Sequence, residues 1–417
     1  GVCQRARGSR RPTLGVINFG PSGIAVMRQR WPPAYMDTVG VQLTIHELLH
    51  VLAYEPDYYN DFVDANGQPY PGGAVQPLVR YANEDPQRPL RAHMVVTPRV
   101  LAAARAHFGC PSLQGVELSA DVGTNEPSSH WSGRVMPLET MSGNDGDGLL
   151  SRTVSDITLG FLADTGWYVP DFTKAHQLRF GSGAGCEFAT GRCNGAAWAA
   201  VPGLGGSACV YNSIHGDCAY DSRFFGPCAV ASTGAGCAPV WQQRNGDPTW
   251  PCDQTSPIPF HDGCARPVPN VDCRQGYADP QGGLEFRGET GGGSDAQCFL
   301  SSLLSTRYQA TAGPLDPACH RHQCSGYPAV SAPTAATYVP FADDQAPPMP
   351  TSVRLSIGVD GGAGHGFQWI ECPVGGGDVR DPAGFTGVLR CPRVAERCCV
   401  APCQNGGVCV SGKCVCA

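Results

Sequence analysis

The stretch "VQLTIHELLHVLAYEP" sets His46 and His50 four positions apart with Glu47 between them. On a helix, residues i and i+4 lie one above the other on the same face, so two imidazoles at this spacing can grip one ion together. Glu47 then stands beside that ion, where a carboxylate can take protons from a water. This is the chemistry of metal-assisted hydrolysis, and a catalytic zinc takes three protein ligands and leaves one position open. The third ligand must come from elsewhere in the chain. Nine other histidines are formal candidates. His93, His107 and His176 sit near helical segments and are most simply surface or half-buried residues. His320 and His322 lie in "CHRHQC", which could bind metal only if its cysteines were free thiols. His130 stands out because Met141 follows eleven residues later in the turn-forming stretch "SSHWSGRVMPLETMSG".

These residues need elements to hold them. Val41, Ile45, Leu48, Leu49 and Leu52 recur at helical spacing, which predicts a helix over about 40–54 with Asp37 or Thr38 able to cap its start. "TLGVINFG" reads as a strand leading toward it. Glu55–Pro89, rich in Tyr, Asp, Asn, Gly and Pro, reads as an irregular loop. "TPRVLAAARAHFGC" has Pro near its start and Gly109 past its end, the pattern of a capped helix. "SDITLGFLADTGWYVPDF" supplies another helix, stopping at Gly166.

Composition bounds the setting. The 417 residues include 22 Cys, 54 Gly and 37 Pro with only 16% charged residues, a loop-rich profile stapled by disulfides. Such cysteine use implies an oxidising compartment, so the expected location is extracellular or the cell surface. There disulfide pairing competes for the sulfurs of "CHRHQC". The formal net charge of −7 argues against a nucleic-acid partner, and the basic cluster "RARGSRRP" reads as a solvated loop. No apolar run approaches a membrane span, no signal peptide opens the chain, and no Asn-x-Ser/Thr sequon occurs. A membrane anchor in a longer parent is compatible with this. Only Cys3 and Cys110 precede Cys186, and from Cys186 onward 20 cysteines crowd into the last 232 residues.

At this point the chain resembles the leishmanolysin family of zinc endopeptidases in the metzincin clan. The likeness rests on "GVINF", the zinc helix, a long insertion before His130, the methionine turn, "HFGC", "DTGWYVPDFTKA", "GAGCEF" with "GRC", "QCF" and "LRCPRVAERC". It implies zinc held by His46, His50 and His130, Glu47 as general base and Met141 beneath the metal. It also implies a Cys110–Cys186 disulfide. The family carries glycine where this chain has Ala53. A turn with positive φ would cost a Cβ-bearing residue about 1 kcal/mol, so a modified turn and an intact site are expected.

The resulting expectation is an α+β fold in three parts. Residues 1–180 form a metzincin-like catalytic domain lacking upstream strands, 181–398 a disulfide-rich, mostly irregular and β domain, and 399–417 a partial EGF-like module suited to protein contacts. "CQNGGVCVSGKCVC" carries that last likeness, and the five cysteines of the last 19 residues fall one short of the six such a module uses. Cys3 and Cys416 are accordingly expected to lack partners, as in an excerpt of a longer protein. The expected substrates are proteins or peptides. The alternative is a catalytically silent protein of the same fold, serving structure or adhesion.

Overall fold

The computed structural model describes residues 2–30, 36–78, 92–119, 127–143, 152–176, 178, 180–191, 217–219, 222–226, 228–229, 266–267, 271–275, 289–293, 295–306, 315–325, 352–361, 364–382, 384–392, 408–410 and 413–415. The described residues form a mixed helix-and-sheet structure in two compact units, one holding Gly1–Trp198 and Val230–Ala265 and the other Ala199–Ala229 and Arg266–Ala417.

In the first unit, strands β1 (Val2–Arg5) and β2 (Pro12–Gly15) pair antiparallel, followed by helices α1 (Pro21–Arg30) and α2 (Met36–Leu52). A Cβ at Gly15 would run into the Val51 side chain, so glycine lets β2 lie directly on α2. The basic cluster is not simply solvated: Arg5 and Arg10 each reach Asp61 at 3.3 Å, and Arg5 covers the Tyr58 ring at 4.2 Å. Asp37 lies within the first turn of α2 rather than ahead of it.

The stretch expected to be irregular contains a 3-10 turn, Pro56–Asp61, and strand β3 (Val75–Leu78). Strand β3 pairs antiparallel with β4 (Ala92–Val95), which pairs with β5 (Val116–Glu117). Helix α3 (Pro98–Phe108) begins with Pro98 behind Thr97 and ends on Gly109 at φ 63°, where glycine avoids the Cβ penalty of the left-handed region. Its first amides are capped from a distance: the Asp164 carboxylate accepts from Arg99 N–H at 2.8 Å and Val100 N–H at 3.2 Å. Asp164 closes helix α4 (Asp156–Asp164), whose own N-cap is Ser155. Helix α5 (Gly185–Thr190) follows, and Cys186 within it is bonded to Cys110 just beyond α3. The core centres on Phe161, whose ring meets Tyr54 at 4.1 Å, Phe62 at 5.3 Å, Trp131 at 5.6 Å and Tyr59 at 5.9 Å.

The second unit is built on a six-stranded sheet. Its strands lie in the order Gly364–Glu371, Ser352–Gly361, Asp316–Ser325, Ala296–Ser301, Val388–Cys391 and Gly377–Arg380, with every neighbouring pair antiparallel. Disulfides join Cys218 to Cys298, Cys273 to Cys319 and Cys372 to Cys391. Cys319 and Cys324 are therefore both disulfide-bonded, and "CHRHQC" offers no thiolates to a metal. Cys3 is exposed and unbonded, while Cys416 lies outside the described residues. Val408–Val410 and Lys413–Val415 form a short antiparallel hairpin. No helix among the described residues is long and apolar enough to cross a membrane.

Candidate metal centre

Helix α2 presents His46 and His50 from one face. The buried side of that helix is Val39, His46 and Leu49, while Val41 and Leu48 are exposed at 58% and 45%. The apolar stripe read from the sequence is therefore split, with only part of it facing the core. At the C-terminus the Ala53 and Tyr54 amides both donate to the Leu49 carbonyl, at 2.9 and 3.0 Å. Ala53 is fully buried and is not among the described residues with positive φ. The turn is thus made in ordinary backbone conformations, so the Cβ carries no left-handed penalty.

His130 arrives from a distant segment. Its carbonyl accepts from Ser119 N–H at 2.9 Å, its own N–H donates to Ser128 Oγ at 3.2 Å, and the next residue, Trp131, donates its N–H to the Met141 carbonyl at 2.8 Å. Isolated bridges pair Trp131 with Leu118 on one side and Ser142 on the other. The histidine and the methionine turn are therefore neighbours in one small backbone ladder, and Met141 is fully buried.

The three imidazoles converge. His46 Nε2 lies 3.1 Å from both His50 Nε2 and His130 Nε2, and one ligand atom from each residue falls within 4.8 Å of the others. Nitrogens held tetrahedrally by zinc at about 2.0 to 2.1 Å sit roughly 3.3 Å apart, so the spacing suits such an ion. Protonation assigns the same role. His46 Nδ1 is 2.7 Å from the Thr140 carbonyl and His50 Nδ1 is 2.8 Å from the Tyr54 carbonyl. A carbonyl oxygen can only accept, so each Nδ1 carries the proton and each Nε2 presents a lone pair. Two lone pairs facing each other repel unless a cation lies between them. These donors fit a metal ion.

Electrostatics favours neutral imidazoles at His46 and His130, the form that ligation requires. Burial holds His46 down to about 4, opposed by its bond to Thr140 and assisted by the Arg152 cation. Burial, with neighbouring His46 and His50, holds His130 well below the usual histidine range. Arg152 Nη1 donates to the same Thr140 carbonyl at 2.8 Å and lies 3.1 Å from His46 Nδ1. Glu47 is half-buried on α2 between the two helix histidines.

The leishmanolysin family profile matches residues 2–332. This chain belongs to the leishmanolysin family. Family relatives include a leishmanolysin-like peptidase of Drosophila melanogaster, 31% identical over 215 residues, covering 46% of this chain and 30% of the relative. A ciliated left-right organizer metallopeptidase of Danio rerio is 26% identical over 296 residues, 70% of this chain and 40% of the relative. Leishmanolysin of Leishmania donovani is 23% identical over 293 residues, 69% of this chain and 43% of the relative. The chain thus spans well under half the length of these relatives.

Sequence reasoning missed the residues that support the three histidines in this leishmanolysin-family chain. Arg134 and Glu117 form a fully buried ion pair at 2.8 Å, and Arg134 also donates to the Ala189 carbonyl at 3.2 Å and the Gly191 carbonyl at 3.0 Å, fastening the segment after His130 to the end of α5. Thr140, Arg152 and Glu139 were likewise invisible, since each acts through a partner more than ten residues away.

Proposed function

We propose that this chain is an extracellular or cell-surface zinc endopeptidase acting on proteins or peptides, with zinc held by His46, His50 and His130. The observation that carries the reading is the convergence of three Nε2 atoms, with the tautomers of His46 and His50 set by backbone carbonyls, on the helix that also bears Glu47. Family membership supports the peptidase class. Bound there, zinc supplies a Lewis acid that polarises the scissile carbonyl and lowers the pKa of a water to about 7. Glu47, one position from His46, takes the proton of the attacking water as general base and returns it to the leaving amine as the peptide bond breaks. Met141, buried beside the His130 ladder, serves in this reading as the metzincin-type floor of the site.

The disulfide-rich composition supports the extracellular or surface setting. The hairpin that sets Cys409 opposite Cys414 supports an EGF-like reading of the last residues, with contacts to other surface or matrix proteins. A catalytically silent scaffold is not favoured, because the acid and all three imidazoles remain together.

Metal analysis and casein cleavage on the native chain and Glu47→Ala test the proposal. One zinc per chain in both proteins, with cleavage in the native chain alone, is expected. A native chain that carries zinc and cleaves nothing would return the silent scaffold to favour.

A further inference from the structure

Glu139 is a fully buried carboxylate that the proposed chemistry does not use. Oε1 accepts from the Ser155 N–H at 3.3 Å and from the Ser155 hydroxyl. Oε2 accepts from the Thr140 N–H at 3.1 Å and the Thr158 hydroxyl at 2.7 Å. Each oxygen therefore takes one backbone N–H and one hydroxyl. Hydroxyls can rotate, but the two amides cannot, so only an ionised carboxylate satisfies all four donors. Burial pushes this carboxyl up to about 7 even against those donors. A buried charge so costly to ionise suggests a task beyond filling space.

Both ends of the network reach the metal centre. Thr140, held on its amide side by Glu139 and by the Thr153 carbonyl at 2.8 Å, turns its own carbonyl onto His46 Nδ1 at 2.7 Å. Thr158 Oγ1, while donating to Glu139, accepts the Trp131 indole N–H at 3.0 Å, and Trp131 directly follows His130. One carboxylate is thus a single intermediary from His46 on one side and two from His130 on the other.

We propose that Glu139 is a positioning residue of the metal centre, fixing the Thr140 carbonyl that orients His46 and the Trp131 backbone that presents His130. The inference rests on the zinc reading above. It assigns the carboxylate a part in metal affinity and geometry, beyond anchoring the methionine-turn segment to α4.

Glu139→Gln is the direct test, since it keeps the shape but must turn an amide N–H toward one of the two backbone N–H groups. The apo forms of the full native chain and the variant are titrated with Zn²⁺ by competition and with Co²⁺ by its visible absorption. The expected result is a zinc affinity weakened about tenfold or more, the scale of lost support around metal ligands. An altered cobalt spectrum and a lower kcat at near-constant KM should accompany it, with the circular dichroism and the Cys110–Cys186 bond retained. Native affinity and cobalt spectrum with only a lower melting temperature would overturn the inference. Should Glu139→Gln fail to fold, Thr158→Val takes its place. That variant removes one donor and the indole's acceptor at constant shape, and an unchanged cobalt spectrum in it would equally overturn the inference. A native chain that binds neither Zn²⁺ nor Co²⁺ sinks the zinc reading and this inference with it, whereas native metal binding that both variants share sinks the inference alone.

Discussion

The two units build part of their cores from different materials. In the first, a cluster of aromatic rings around Phe161 is threaded by directional polar contacts from Glu139, Thr158 and Trp131. In the second, one buried cluster consists of Cys218, Cys273, Ala296, Cys298, Leu300 and Cys319, so two disulfides supply most of it. A disulfide fixes connectivity and restricts the unfolded chain, but it aims no side chain at a ligand. Hydrogen bonds to imidazole and carbonyl do aim, which is why the region holding the histidines depends on them. The comparison predicts that metal loss and loss of the second unit's disulfides act on different halves of the molecule.

The largest expected effect comes from His50→Ala. With one ligand gone, peptidase activity should fall at least about a thousandfold, on the scale of removing an essential catalytic group. The disulfides of the second unit, mapped by mass spectrometry, should stay native, and a loss of those pairings would break the comparison. Next is Phe161→Ala, which empties the centre of the aromatic cluster. Truncating a buried Phe costs about 3 to 5 kcal/mol, so denaturant unfolding of the first unit should shift and zinc retention should weaken with it. Full zinc retention would show that the rings and the ligands are uncoupled.

A double replacement, Cys273→Ala with Cys319→Ala, opens a loop of sequence separation 46. It should remove about 2 to 4 kcal/mol from the second unit while zinc stoichiometry stays unchanged. Zinc lost in step with this bond would mean that the two halves are not separable.

The smallest effect is a pH dependence placed in the first unit. His107 donates through Nε2 to the Phe180 carbonyl at 2.9 Å, and burial lowers its pKa to about 4. The folded form refuses a proton that the unfolded chain accepts near 6.5, so stability should decline as pH falls from about 6.5 toward 4. His107→Phe should flatten that decline, as measured by urea midpoints at pH 7.5 and 5. An unaltered slope would assign the acid sensitivity elsewhere.

Much of the helical frame could be read from local sequence because its signals are local. The spacing of His46 and His50 marks α2, although Met36–Leu52 begins earlier than the expected 40. Thr97, Pro98 and Gly109 bracket α3, and Ser155 opens α4. The shortfall lies where structure comes from distant pairing. Of "TLGVINFG" only Thr13, Leu14 and Gly15 lie in a strand, and no local signal announces α1. Val75–Leu78 reads locally as loop because nothing within it announces its partner at Ala92–Val95. Periodicity also misjudged which side of α2 is covered, since helical spacing gives a face but not what packs on it. At the centre itself, the ligand set could be proposed through family likeness. Glu139 could not, because no spacing rule connects it to Ser155 and Thr158.

The carbonyls of Thr140 and Tyr54 have a thermodynamic consequence for metal loading. Because they hold the Nδ1 protons of His46 and His50 in place, the tautomers facing the ion exist before it arrives, and little rearrangement entropy is lost on capture. Because burial already keeps His46 and His130 uncharged, capture in mildly acidic solution need not expel protons from those two rings. Calorimetry of metal uptake in buffers of different ionisation enthalpy should then show little proton release from those two rings.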